Sequence, residues 1–155
     1  MLQRIQSIWL FLASLSLYAL FIFPLVHNVH VEGNSLTIMV NGVFQDANGQ
    51  LTHTQFFTGL TITTAVIGII PLIIIFLYKN RKQQVAFCYS TMLVIIGLSF
   101  WMEKSVETVT GGAQLAMGNF GIGALLSSIS ILFLVLAVKS INRDEKLVKS
   151  ADRLR

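Results

Sequence analysis

The sequence predicts an all-α membrane protein with four transmembrane helices, both termini cytoplasmic, and a small β-hairpin in the first periplasmic loop. Three observations predict this class. Four apolar stretches divide the chain, at about residues 8–26, 56–78, 85–102 and 120–138, and none holds a charged residue. Each is long enough to reach across a hydrocarbon core of roughly 30 Å at about 1.5 Å per helical residue. Ten of the eleven Lys and Arg residues fall on one side of these stretches: Arg4, Lys79, Arg81 and Lys82, then Lys139, Arg143, Lys146, Lys149, Arg153 and Arg155 in the tail. Lys104 stands alone on the other side. Cationic loops resist translocation, so this asymmetry places both termini inside and two loops outside.

Composition supports the class. The 155 residues are 54% hydrophobic and 12% charged, with a mean hydropathy of +0.73. A soluble domain carries about twice that share of charge. The whole chain, 1–155, therefore reads as a single integral membrane domain ending in a cytoplasmic tail, 139–155. Its formal charge of +4 averages two unlike faces. The ten inner cations face Asp144, Glu145 and Asp152, a net +7, while Lys104 faces Glu32, Asp46, Glu103 and Glu107, a net −3. An inner face of this kind attracts anionic lipid headgroups at about 1 kcal/mol per cation. Nucleic acid is not expected as a partner, because acids and apolar residues interleave the tail's cations.

The first span begins behind Arg4 and Trp9 and ends near Pro24 and Asn28. With one cation ahead of it and no Ala-x-Ala site behind, it reads as a retained signal anchor. The loop from His27 to Gln55 holds a strand-like run, Leu36–Val40, followed by Asn41-Gly42. Asn-Gly suits a type I′ turn, which would pair that run with Val43–Gln45; Asp46-Ala-Asn-Gly49 would close the hairpin. The second span contains Pro71, which removes a backbone donor and predicts a kink. A short basic turn through Arg81 and Lys82 makes spans two and three antiparallel neighbours. The third span carries Cys88 near its inner end and Trp101 at its outer boundary. The fourth is approached through Gly118-Asn-Phe-Gly-Ile-Gly123. Beyond it, Ile141, Leu147, Val148, Ala151 and Leu154 recur at helical spacing, so the tail is a helix, either leaving the membrane or lying on it.

The candidate sites are few. His27, His30, Glu32 and His53 are the residues most like metal ligands, but they are scattered through the outer loop and read as solvated side chains; no metal or other cofactor is expected. The run Gly118–Gly123 has the wrong order of spacings for a dinucleotide loop and precedes a membrane helix. Close helix packing explains it better: Gly123 with Ser127, like Thr64 with Gly68, forms a small-xxx-small pair, and Pro71 lies on the same seam as the latter. A lone Cys88 without a nearby His reads as a small core hydrophobe. No charge lies inside the four spans, which argues against proton-coupled transport. No nucleophile, base and orienting group can converge, so the chain is not expected to be an enzyme.

The start, Met1-Leu-Gln-Arg-Ile-Gln-Ser-Ile-Trp-Leu10, and the end, Ile141 to Arg155 with Ser150-Ala-Asp-Arg-Leu-Arg155, resemble a family of small membrane proteins of Bacteroidota catalogued as domain of unknown function 4293. The Asn80-Arg81-Lys82 turn fits the same resemblance. It implies a four-helix inner-membrane protein and carries no established activity. The matching segments all lie on the basic side, which makes Arg4, Arg81, Lys82, Arg143, Asp144, Glu145, Lys149, Asp152, Arg153 and Arg155 the expected contact surface for partner subunits or lipid. The function expected from these observations is a non-catalytic accessory or assembly subunit of a larger bacterial inner-membrane complex, of translocase, secretion or respiratory type. It would dock through its helix seams and basic tail. The alternative is a small channel or carrier for an uncharged or weakly polar solute, lined by Pro71 and the threonines of span two.

Overall fold

The computed structural model describes residues 3–31, 34–47, 50–78, 80–112 and 116–153; within these, the side chains of residues 3, 4, 30, 31, 34, 46, 47, 50, 51, 149 and 151–153 are not described. Helix α1 (Gln3–Ala19) leads into four strands, β1 (Val26–Val31), β2 (Asn34–Met39), β3 (Gly42–Ala47) and β4 (Gln50–Phe56). Helices α2 (Thr58–Phe76) and α3 (Arg81–Thr110) follow, then a 3₁₀ turn (Met117–Asn119) and helix α4 (Gly123–Arg153). The helices run alternately up and down. α1 packs against α4 and α2, and α3 closes the ring by packing against α4 and α2.

Two features correct the all-α, four-span expectation. The segment between α1 and α2 is a four-stranded antiparallel meander, β1-β2-β3-β4, not one small hairpin. And among the described residues three helices, not four, are long and apolar enough to cross a membrane: Thr58–Phe76, Arg81–Thr110 and the Gly123–Val148 part of α4. The apolar part of α1, Ile5–Ala19, spans about 22 Å at 1.5 Å per residue. The apolar run that was expected to continue as helix to Val26 leaves it after Ala19. Backbone bonds from the amides of Leu20, Phe21, Ile22 and Phe23 to the carbonyls of Leu17, Tyr18 and Ala19 tighten the last turn. Pro24 then bars Phe23 from the helical region. Leu25 and Val26 remain buried, but in the junction and strand β1. Apolar content marked these residues as interior without revealing that the backbone had changed state.

The sheet forms because Val26, Val29, Ile38 and Val43 can be turned to one side. Val26 pairs with Ile38 and Val29 with Leu36, so β1 carries one residue more than β2 between these pairs. The extra residue is a bulge at Asn28, which sits at φ 53°, a left-handed conformation that Asn tolerates better than most residues. The bulge brings Val26 and Val29 to the same face although they are three apart, and both are buried. Ile38, Val40 and Val43 complete that face and join one core that continues through Leu98, Ile95 and Leu134 to Ile141 at the far end of the bundle. Met39 pairs with Gly42, so the tight turn is Val40-Asn41, one residue earlier than the Asn-Gly signal suggested. The Asp46–Gly49 turn falls partly outside the described residues.

The outward faces of the bundle are apolar. Ile62, Val66, Ile69, Ile73 and Phe76 form an exposed stripe on α2, and Leu125, Ile129, Leu132 and Val135 form another on α4. A water-soluble bundle would place polar residues there. This exterior is compatible with lipid as its solvent.

Candidate functional site

The two ends of the molecule differ in character. At the basic end, α1 begins where α4 passes beyond the bundle. The face of α4 that carries Leu134, Ala137, Val138 and Ile141 continues one turn further to Asp144. Asp144 is only 6% exposed and Gln6 only 4%, and the Nε2 amide of Gln6 donates to Asp144 Oδ2. A carboxylate withdrawn from water needs such a donor. Asp144 therefore ties two helices together instead of joining the contact surface expected of it. Arg143 and Lys146 point outward, Glu145 is half-buried, and Arg81 and Lys82 are half-buried and exposed respectively. The side chains of Arg4, Lys149, Asp152 and Arg153 are not described, and Arg155 lies outside the described residues.

Past Asp144, α4 continues to Arg153, about 13 Å further at 1.5 Å per residue. This segment exposes Leu147 and Val148 beside Lys146. Of the two arrangements open to the tail, a continuous helix is the one found.

The seam residues are all buried: Thr64, Gly68 and Pro71 on α2, and Gly123 and Ser127 on α4. The Tyr18 ring covers Gly68, and a Cβ there would stand 3.1 Å from the ring. Ser14 Oγ donates to the Gly68 carbonyl at 2.7 Å, just ahead of the point where Pro71 interrupts the backbone ladder. On the other side of α1, Ser130 Oγ donates to the Ala13 carbonyl at 3.0 Å. The sequence does not single out Ser14 or Tyr18, because a hydroxyl in an apolar run does not reveal which neighbour it will reach.

At the sheet end, the glycine-rich run clasps the junction between α1 and β1. The amide of Gly121 donates to the Leu25 carbonyl at 2.9 Å, and that of Gly123 to the Pro24 carbonyl at 3.0 Å. Val26 forms a β-bridge with Phe120, and Asn119 Nδ2 donates to the Asn28 carbonyl at 3.0 Å. A Cβ on Gly123 would meet the carbonyl oxygens of Pro24 and Phe23 at 2.5 and 2.7 Å. Glycine is needed here for backbone-to-backbone approach.

Beside the clasp lies an open cleft of about 570 Å³ between α3, β1 and the start of α4. Met102, Val106 and Phe120 form part of its apolar wall, and Glu103, Lys104 and Glu107 are its charged groups. Lys104 Nζ and Glu107 Oε2 form an ion pair at 2.5 Å with both side chains largely exposed. Among the described side chains, the candidate metal ligands His27 and His53 do not converge. His27 lies on β1 and His53 on β4, the opposite edges of the sheet, three strand spacings or about 14 Å apart. His53 stacks on Phe56 at 4.0 Å and meets the edge of Phe44 at 4.3 Å. The side chain of His30 is not described, and Glu32 lies outside the described residues.

A family model described as Domain of unknown function (DUF4293) matches residues 2–154. The chain belongs to the DUF4293 family. Comparison with curated proteins finds no match. The match spans the clasp, the sheet and the seams as well as the basic segments. For this DUF4293 chain the Gly-Ile-Gly spacing was the available sequence signal for the clasp. That spacing predicts helix packing, whereas its contact is with the backbone of the α1–β1 junction.

Proposed function

We propose that this DUF4293 chain is a non-catalytic accessory or assembly subunit of a larger complex in a bacterial inner membrane, with its basic end in the cytoplasm. The observation that carries the reading is the projecting end of α4. Helix continues past the Gln6–Asp144 tie, and its exposed Leu147 and Val148 stand beside cations. Apolar side chains on a basic helix of this kind suit a partner groove with an acidic rim. The orientation rests on the cation asymmetry.

The channel reading has less support. Thr64 Oγ1 turns back to the Leu60 carbonyl at 2.8 Å, Tyr18 covers Gly68, and Thr61 donates to the Phe57 carbonyl at 2.8 Å. The groups that would line a path are engaged in packing.

Purification of the full chain from native membranes in mild detergent tests the proposal. A partner protein should be recovered in stoichiometric amount and lost from a Leu147→Glu/Val148→Glu variant. Recovery of the chain alone, with fast amide exchange along residues 145–153, would sink it.

A further inference from the structure

We infer that the cleft between α3, β1 and the start of α4 binds a small soluble organic ammonium whose apolar body carries a hydrogen-bonding group. The inference stands apart from the docking role of the tail. At about 570 Å³, the cleft falls within the roughly 300–1,000 Å³ usual for small-molecule sites. Met102, Val106 and Phe120 offer the body of such a molecule an apolar wall.

The polar ends of the occupant follow from two groups in the lining. Ser127 lines the cleft and is only 6% exposed. The other buried serine and threonine hydroxyls, those of Ser14, Ser16, Thr64, Thr91, Thr110 and Ser130, each donate to a backbone carbonyl. Among the described residues, the buried Ser127 hydroxyl alone has no hydrogen bond. A hydroxyl withdrawn from water is costly to leave unpaired, and a polar group on the occupant would pair it.

The charge follows from Glu103. Ser99, Glu103, Val106 and Thr110 all line the cleft. At about 100° per residue they lie within about 60° of one another on α3, so Glu103 belongs to the cleft face. The cleft's one ammonium, on Lys104, is held by Glu107. Among the described residues Glu103 is in no ion pair, and the lining holds two carboxylates to one ammonium. A cation complements that balance, and an anion is repelled by it. An ethanolamine lipid headgroup presents the same ammonium, but with a phosphate beside it that the carboxylates disfavour.

The test titrates three probes into the full chain, isotopically labelled at its methionine methyls and held in nanodiscs of phosphatidylcholine. Tyramine, with an ammonium, a ring and a hydroxyl, should shift the Met102 resonance saturably and leave Met92, about 15 Å away along α3, in place. Phenethylamine, which lacks only the hydroxyl, should bind about fivefold more weakly. Phloretate, with a carboxylate in place of the ammonium, should give no saturable shift. Ser127→Ala should abolish the difference between the two amines, and Glu103→Gln should weaken both about fivefold. Glu103 is exposed, so its variant should keep the fold, and an unmoved Met92 signal in both variants verifies it. Phloretate binding as well as tyramine, no saturable shift with tyramine, or unchanged binding in the Glu103→Gln chain would each overturn the inference. So would loss of tyramine binding in discs of phosphatidylethanolamine, which would make the lipid headgroup the occupant.

Discussion

Replacing Gly121 with alanine probes the contact that joins the sheet to the bundle. The added methyl would fall well inside contact distance of the Pro24 carbonyl oxygen, and 3.0 Å from its carbon. The obstruction is backbone, so no flexible side chain can move aside. The two segments must separate, which strains or breaks the Gly121–Leu25 and Gly123–Pro24 bonds, 2.9 and 3.0 Å long. Leaving one buried backbone group unpaired costs about 1–3 kcal/mol, and forcing an extra methyl into a packed site costs a further 1–3 kcal/mol or so. Together these give about 2–6 kcal/mol, a large part of the roughly 5–15 kcal/mol that holds a typical domain together. At roughly 3 °C per kcal/mol for a chain of this size, the midpoint of thermal unfolding in detergent should fall by about 5–20 °C. Gly118→Ala is the matched control, since a Cβ there meets nothing within 4 Å. If Gly121→Ala melts with Gly118→Ala and the unsubstituted protein, the clasp does not hold the sheet to the bundle and the reasoning fails.

Four further outcomes are expected. Gln6→Leu should destabilise the protein by about 1–3 kcal/mol, because Asp144 keeps its burial and loses its donor; detergent unfolding curves with unchanged midpoints would contradict the tie. Ser14→Ala should cost about 1 kcal/mol by removing the bond to the Gly68 carbonyl, measured in the same assay. Gly68→Leu should cost about 1–3 kcal/mol through overpacking against Tyr18, whereas Gly97→Ala, where a Cβ meets nothing within 4 Å, should gain about 0.5–1 kcal/mol from helix propensity. Zinc titration should leave amide exchange in the sheet unchanged, since His27 and His53 sit on opposite edges; zinc-dependent protection of both β1 and β4 would show that they do converge.

The bundle was legible where periodicity and composition acted alone. Apolar stripes located α2, α3 and α4, and Thr64 and Gly68 are buried on α2, where Gly68 lies under the Tyr18 ring of α1. The first span and outer loop were harder to read. Residues 20–26 are as apolar as the helix before them, and only Pro24 hinted that the backbone would leave it. In the loop, β1 hid its alternation because the Asn28 bulge adds a residue between Val26 and Val29. The partner of Asp144 was also hidden: a carboxylate between Arg143 and Glu145 looks solvated until the helix phase points it at Gln6.

The sequence by itself determined that most of this chain lies in apolar helices, that its cations gather at one end, and that it belongs with the family its termini resemble. These are sums over residues, and sums survive ignorance of three-dimensional neighbours. Tertiary structure alone decided that the segment between α1 and α2 is a four-stranded sheet, that α1 stops short, that Gly121 clasps Pro24 and Leu25, and that Asp144 faces inward. Each depends on which two distant segments meet, and a pairing between residues about a hundred positions apart leaves no local mark on either one.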